Sequence, residues 1–323
     1  MLSHVKPFIF LLSLTLSSSH AQGEQPDPAA DINHMPITLW SEGVRLAGDI
    51  YKPSTLQADK TLPGILLVPG WGGSKANLGK NYAPQFAEAG FIVLTFDFKG
   101  WGESDGPLLA SEKLDRIEET QTDSFEASHV RKVVNPRSMS ADVRAALHYL
   151  GAEPGVTPSN LGIWGTSMGG ALALAASAED HRVKALVNQM GPVNTQYNLR
   201  NLPDAALQHA EAQAARGEAP PYPGPNSKLS PQLQGFPDWV AMKRFTPLAQ
   251  LENLQAATLI IDAEKESLFE IKKNGQLVYQ DIKERLPSRY LVLPGGHYDL
   301  YKGDSLSTAR SSALEWFVTH LKP

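Results

Sequence analysis

The apolar positions of this chain follow one dominant rhythm. Gly64-Ile-Leu-Leu-Val68, Phe91-Ile-Val-Leu-Thr-Phe96, Leu161-Gly-Ile-Trp164, Val183-Lys-Ala-Leu-Val187, Ala257-Thr-Leu-Ile-Ile261 and Arg289-Tyr-Leu-Val-Leu293 are short, predominantly apolar runs. Such runs mark strands buried on both faces. Ahead of them, Pro36–Trp40 and Val44–Tyr51 alternate apolar with polar residues around Ser41-Glu-Gly43, which predicts an antiparallel hairpin. Helical spacing fills the intervals. A helix ends over Pro84–Gly90, and another, capped by Ser140, carries Val143, Ala146, Leu147 and Leu150 on one face. Further helices are predicted from Gly170 onward, over about 269–286, and at the end of the chain with Leu314, Phe317, Val318 and Leu321 aligned. Strands alternating with helices predict an α/β fold with a mostly parallel sheet.

Two stretches break the rhythm. Residues 106–137 are charged and aperiodic, which predicts a long surface excursion. Residues 195–247 are rich in Ala, Gln and Pro and predict an insertion over one face, a lid rather than a second domain.

Composition narrows the classes. The 323 residues are 42% hydrophobic with a net charge of −5, enough for one large core and without a basic block for nucleic acid. No apolar run reaches the length of a membrane span. Lys6 precedes the apolar stretch Phe8–Leu16, and Ser19 and Ala21 stand at −3 and −1 of a cleavage site. Residues 1–21 therefore read as an export signal, with a secreted or periplasmic mature chain and a flexible lead-in over 22–35. The chain has no cysteine, so neither disulfides nor a thiol nucleophile enter the argument, and the sequence calls for no metal or organic cofactor.

The chemistry gathers after the apolar runs, where an open parallel sheet places its sites. After 161–164 comes Gly165-Thr-Ser-Met-Gly169, a G-x-S-x-G that leads straight into Gly170-Ala-Leu-Ala-Leu-Ala-Ala. Strand, tight turn and helix are the context in which such a motif exposes a nucleophile, here Ser167. After 64–68 comes Pro69-Gly-Trp-Gly-Gly-Ser74, whose Trp71 N–H is a candidate to form an oxyanion hole with the Met168 N–H. After 289–293 comes Pro294-Gly-Gly-His297, and only His297 among the histidines has both a strand-end context and a place after Ser167. After 257–261, Asp262, Glu264 and Glu266 compete to orient it. Asp97-Phe-Lys-Gly-Trp-Gly-Glu-Ser-Asp-Gly106 reads as a structural turn, and Trp71, Trp101, Tyr197 and Trp239 are aromatic candidates for a substrate pocket.

Taken together, Gly70-Trp-Gly-Gly, Asp97–Gly106, Gly165-Thr-Ser-Met-Gly-Gly and Gly295-Gly-His resemble the α/β-hydrolase superfamily over about residues 36–322. The closer resemblance is to its dienelactone-hydrolase-like and Xaa-Pro-peptidase-like branch. That resemblance implies an eight-stranded, mostly parallel sheet with helices on both faces, one domain over 36–323, and a cap at about 195–247. It also implies a secreted serine hydrolase cleaving a carboxylic ester by acyl transfer, with Ser167 as nucleophile and His297 as base. The family's Gly-x-x-Asp acid loop falls on Ala263-Glu-Lys-Glu266, which assigns the acid to Glu266 with Ala in place of Gly and Glu in place of Asp. Lys99 stands where the family often has Arg, without catalytic consequence. An amide or peptide hydrolase of the same fold, and a catalytically idle ligand-binding domain, are the competing expectations.

Overall fold

The computed structural model describes residues 32–111, 126–223 and 233–322. The expected export signal and most of the lead-in lie outside the described residues. Eight strands form one sheet: β1 (Ile32–Ser41), β2 (Val44–Pro53), β3 (Leu62–Val68), β4 (Ile92–Phe96), β5 (Val156–Thr166), β6 (Val183–Gln189), β7 (Ala257–Ala263) and β8 (Ser288–Leu293). Their order is β1-β2-β4-β3-β5-β6-β7-β8. Strands β3 to β8 run parallel, and β2 is antiparallel to both its neighbours. The hairpin of β1 and β2 turns at Glu42 and Gly43, both at positive φ, as a two-residue turn matching strand twist requires. Strand β1 starts at Ile32, ahead of the expected Pro36, because residues 32–35 pair with 50–53 of β2.

Alternation along the buried strands divides the core. Ile65 and Leu67 of β3 join Val93, Trp164, Val187 and Ile261 on one face. That face is covered by α1 (Lys75–Asn81), α2 (Ala83–Glu88) and the helix at the end of the chain. Leu66 and Val68 point the other way, with Leu94, Ile163, Leu186 and Ile260, under α3 (Pro136–Ala152) and α4 (Met168–Glu179). A strand buried on both faces shows no polar alternation, which is why these stretches read as continuous apolar runs.

Helix boundaries differ from expectation where side chains override periodicity. Helix α3 starts at Pro136, and Asn135 caps it by accepting from the Arg137 and Ser138 N–H groups, so Ser140 is interior and not the cap. The expected helix at 269–286 is a short 3-10 turn, Ile271–Lys273, followed by Gly275–Ile282. Asn274 breaks it: its buried amide is spent on the Glu270 carbonyl, the Asn194 N–H and Asn198. In the final helix, Gly303–Leu321, the buried face is Ala309, Ala313, Phe317 and Leu321, whereas Val318 is exposed.

The insertion between β6 and β7 contains the helices Thr195–Asn198, Asp204–Ala215 and Trp239–Arg244. Its Phe236–Pro237 pairs in parallel with Val133–Val134 of the excursion, so the two irregular stretches are stitched to each other. Within the excursion, Leu108–Ala110 also pairs with Ala127–His129.

Candidate active site

The end of β5 enters α4 through Ser167, whose backbone sits at φ 52° and ψ −127°. A non-glycine residue there is strained. The surroundings hold it in place: the Ser167 N–H donates to the Gln189 carbonyl at 2.8 Å, and its own carbonyl accepts from Gly170 and Ala171. The close packing needs glycine on both sides. A Cβ on Gly165 would strike the Gly169 carbonyl, and one on Gly169 would strike the carbonyls of Val68 and Pro69.

His297 opens the 3-10 turn His297–Tyr301 directly after β8. Its Nδ1 lies 2.7 Å from Glu266 Oε2, and both side chains are almost fully buried. The other Glu266 oxygen accepts the Leu268 N–H at 2.9 Å, which fixes the carboxylate in the loop after β7. Phe269, Tyr298 and Tyr301 pack edge-on around the imidazole.

The two competing carboxylates are elsewhere. Glu264 is exposed. Asp262 is buried beneath the loop, where its Oδ2 accepts the Tyr290 hydroxyl at 2.9 Å. Burial pushes its carboxyl up to about 7, partly offset by that hydrogen bond and reinforced by the Glu266 charge.

Ser167 and His297 line one cavity of about 380 Å³. The loop after β3 forms its rim, and Gly70 packs so tightly against the elbow that a Cβ would stand 2.9 Å from the Thr166 carbonyl. Among the described residues neither the Trp71 nor the Met168 backbone N–H has a hydrogen-bond acceptor. Met168 is the first residue of α4, so its N–H is one of those a helix leaves unpaired. The Trp71 indole donates to the Gln234 carbonyl at 2.6 Å, and Leu233 lines the cavity, so the far end of the insertion reaches the site.

The three other aromatic candidates do not line this cavity. Trp101 is buried, donating to the Val133 carbonyl at 3.1 Å behind the rim loop. Tyr197 is outside, its hydroxyl on Glu270 and the Arg200 guanidinium 4.1 Å over its ring. Trp239 lines a separate surface groove between α3 and the insertion. The cavity is instead walled by Leu78, Asn81, Tyr82, Tyr298, Tyr301 and Leu306. Tyr298 and Tyr301 had a readable signal, since they follow His297 in the same turn. Tyr82 and Asn81 had none, because α1 and α2 reach the site only through the fold.

Asp97 is structural, as its turn predicts. Its carboxylate accepts the Lys75 N–H at 2.7 Å and the Glu103 N–H at 3.0 Å, anchoring the helix that follows the rim loop. Lys99 is buried between Glu42 and Asp142, far from any role at the cavity. Among the described residues no cluster of three metal-ligating side chains occurs, and no helix is long and apolar enough to cross a membrane.

Residues 49–219 match the dienelactone hydrolase family. The chain belongs to that family. Residues 144–298 also match the BAAT / acyl-CoA thioester hydrolase C-terminal family. Among relatives, an uncharacterized 31.7 kDa protein of Escherichia coli is 24% identical, over 80% of this chain and 91% of its own. A thiohydrolase of Arthrinium phaeospermum is 30% identical, over 56% of this chain and 52% of its own. An α/β hydrolase of known structure from Penicillium superposes with a TM-score of 0.59 at 19% identity, covering 90% of this chain and 99% of the other. The dienelactone hydrolase family member described here thus has the α/β-hydrolase fold and is a hydrolase.

Proposed function

We propose that this hydrolase cleaves a carboxylic ester by acyl transfer through Ser167, His297 and Glu266. The observation that carries the reading is the buried pairing of Glu266 with His297 Nδ1 at the wall of the cavity that holds Ser167. With Nδ1–H held by the carboxylate, Nε2 is left as the base. Ser167 Oγ attacks the ester carbonyl and passes its proton to Nε2. The developing oxyanion takes the free N–H groups of Trp71 and Met168 at the positive end of α4. His297 returns the proton to the leaving alcohol, and a water activated by the same imidazole then releases the acyl group from Ser167. Glu266 keeps the imidazole in the right tautomer and stabilises its charged form. The strained backbone at Ser167 holds the hydroxyl clear of α4 for attack.

The insertion over 195–247 acts as the cap, supported by Leu233 and Gln234 at the cavity. The chain acts outside the cytoplasm once residues 1–21 are removed after Ala21, a reading supported by the order of Lys6, Phe8–Leu16 and Ser19. A thioester is the second substrate reading, favoured by the acyl-CoA thioester hydrolase match and the thiohydrolase relative. The test is labelling by a fluorophosphonate probe with the adduct located by mass spectrometry, beside turnover of p-nitrophenyl esters, matched thioesters and chromogenic amides. Labelling at Ser167 with ester turnover is expected. An unlabelled, inactive protein would leave an idle ligand-binding domain as the reading, and amide turnover above ester turnover would make it a peptidase.

A further inference from the structure

Beneath the nucleophile runs a chain of hydrogen bonds that acyl transfer does not use. The Tyr82 hydroxyl donates to Gln189 Oε1 at 3.4 Å, and Gln189 Nε2 donates to Thr166 Oγ1 at 3.3 Å. Thr166 Oγ1 and the Tyr301 hydroxyl are 2.9 Å apart. Three hydroxyls carry three protons. One is spent on Gln189 and one between Thr166 and Tyr301, so one has no acceptor among the described residues. Turning the Gln189 amide over moves the spare proton along the chain without removing it.

Burial decides where the spare proton sits. Tyr82, Gln189 and Thr166 are 2%, 0% and 4% exposed, whereas Tyr301 is partly exposed; of the four, Tyr82, Thr166 and Tyr301 line the cavity. An unclaimed donor at a buried group carries its full desolvation penalty, which a group at the cavity surface escapes. The favoured arrangement therefore runs Tyr82 to Gln189 to Thr166 to Tyr301, each member donating once, with mutual polarisation along the row. Its last proton is on the Tyr301 hydroxyl, in the cavity that Ser167 and His297 line. Thr166, Ser167 and Tyr301 line the same cavity, so a substrate seated at Ser167 shares that space with the Tyr301 hydroxyl.

We infer that Tyr301 is a specificity-determining hydrogen-bond donor, selecting esters that carry an oxygen acceptor within a few atoms of the scissile carbonyl. The inference rests on the serine-esterase reading above and adds the substrate class. A site built to donate to an oxygen discriminates against the substrate lacking it, because the donor is then left unpaired.

The test uses two isosteric pairs: p-nitrophenyl methoxyacetate against p-nitrophenyl butyrate, and 2-methoxyethyl acetate against butyl acetate. Each pair exchanges one ether oxygen for a methylene. In wild-type protein the preference for the ether member of at least one pair should exceed the preference shown by hydroxide by about tenfold, which removes intrinsic reactivity from the comparison. In Tyr301→Phe, kcat/KM for that ether should fall about tenfold more than for its alkyl partner. The fluorophosphonate labelling rate of the variant reports whether the elbow is intact. Equal losses within both pairs, or a wild-type preference no larger than that of hydroxide, would overturn the inference and leave the esterase reading standing. A wild-type protein that turns over none of the four and does not label would overturn both.

Discussion

Replacing Glu266 by Gln tests the geometry of the base in its most vulnerable place. The carboxylate accepts two hydrogen bonds on its two oxygens, from His297 Nδ1 at 2.7 Å and from the Leu268 N–H at 2.9 Å, in surroundings that exclude water. A carboxamide has one acceptor end and one donor end. With its oxygen kept on Leu268, its NH2 faces Nδ1 and forces the ring proton onto Nε2, the nitrogen that must accept from Ser167. Restoring the productive tautomer forfeits a charge-assisted bond of about 1.5–3 kcal/mol and leaves facing donors that cost about 1–3 kcal/mol more. The sum, about 2.5–6 kcal/mol, corresponds to a fall in kcat of roughly 10²–10⁴. Steady-state hydrolysis of p-nitrophenyl butyrate measures it, with KM changing little because Glu266 is behind the imidazole. A kcat within about threefold of wild type, or a larger loss from Asp262→Asn or Glu264→Gln, would refute the reasoning.

Ser167→Ala should lower turnover by about 10⁴–10⁶ while the melting curve barely moves, and Ser167→Gly should melt higher than Ser167→Ala by about 1–2 kcal/mol in stability, because only glycine accepts this backbone without strain. Equal melting temperatures for the two variants would argue against the strained elbow. Gly169→Ala should abolish soluble expression or folding, since its Cβ would meet two carbonyl oxygens of the β3 end; recovery of a well-folded, active variant by circular dichroism and assay would contradict that packing. Asp262→Asn should change the pH profile of stability. The folded carboxyl is raised to about 7, above its unfolded range near 4, so the folded state holds the proton more tightly and wild-type stability falls as pH rises between those values. Asn cannot ionise, so the stability difference between variant and wild type should shift in the variant's favour from pH 4 to pH 7 and level off above. Thermal melts giving a difference flat with pH would rule it out.

Most of the sheet was legible because its central strands are buried on both faces, and continuous apolar runs such as Ile65–Val68 and Leu259–Ile261 survive any local detail. The elbow was legible for a different reason: glycines at 165 and 169 are demanded by backbone contacts that no other residue satisfies. Boundaries set by one side chain were not. Asn135 and Asn274 begin and interrupt helices through hydrogen bonds to partners distant or unremarkable in sequence. The pocket was the least readable part. Trp101 and Tyr197 look like pocket residues by type, yet one is consumed by the Val133 carbonyl and the other by Glu270. The walls contributed by Leu78, Asn81 and Tyr82 come from helices whose sequences carry no chemistry, brought there by the crossover that sets β3 between β4 and β5.

That strand order also governs when the site can exist. The rim loop follows β3, the serine follows β5, the acid follows β7, and the imidazole follows β8, so the working parts are handed out along the chain and the base comes last. During synthesis the N-terminal parts emerge first. A ribosome-bound chain can therefore hold a finished elbow and rim loop before the proposed base, His297, has arrived. The Tyr301 hydroxyl that touches Thr166 belongs to the same late turn as His297, so its arrival closes the floor of the cavity as it delivers the base. Under the proposed mechanism, hydrolytic activity should therefore stay silent until nearly the whole polypeptide has folded, and its onset should report completed folding.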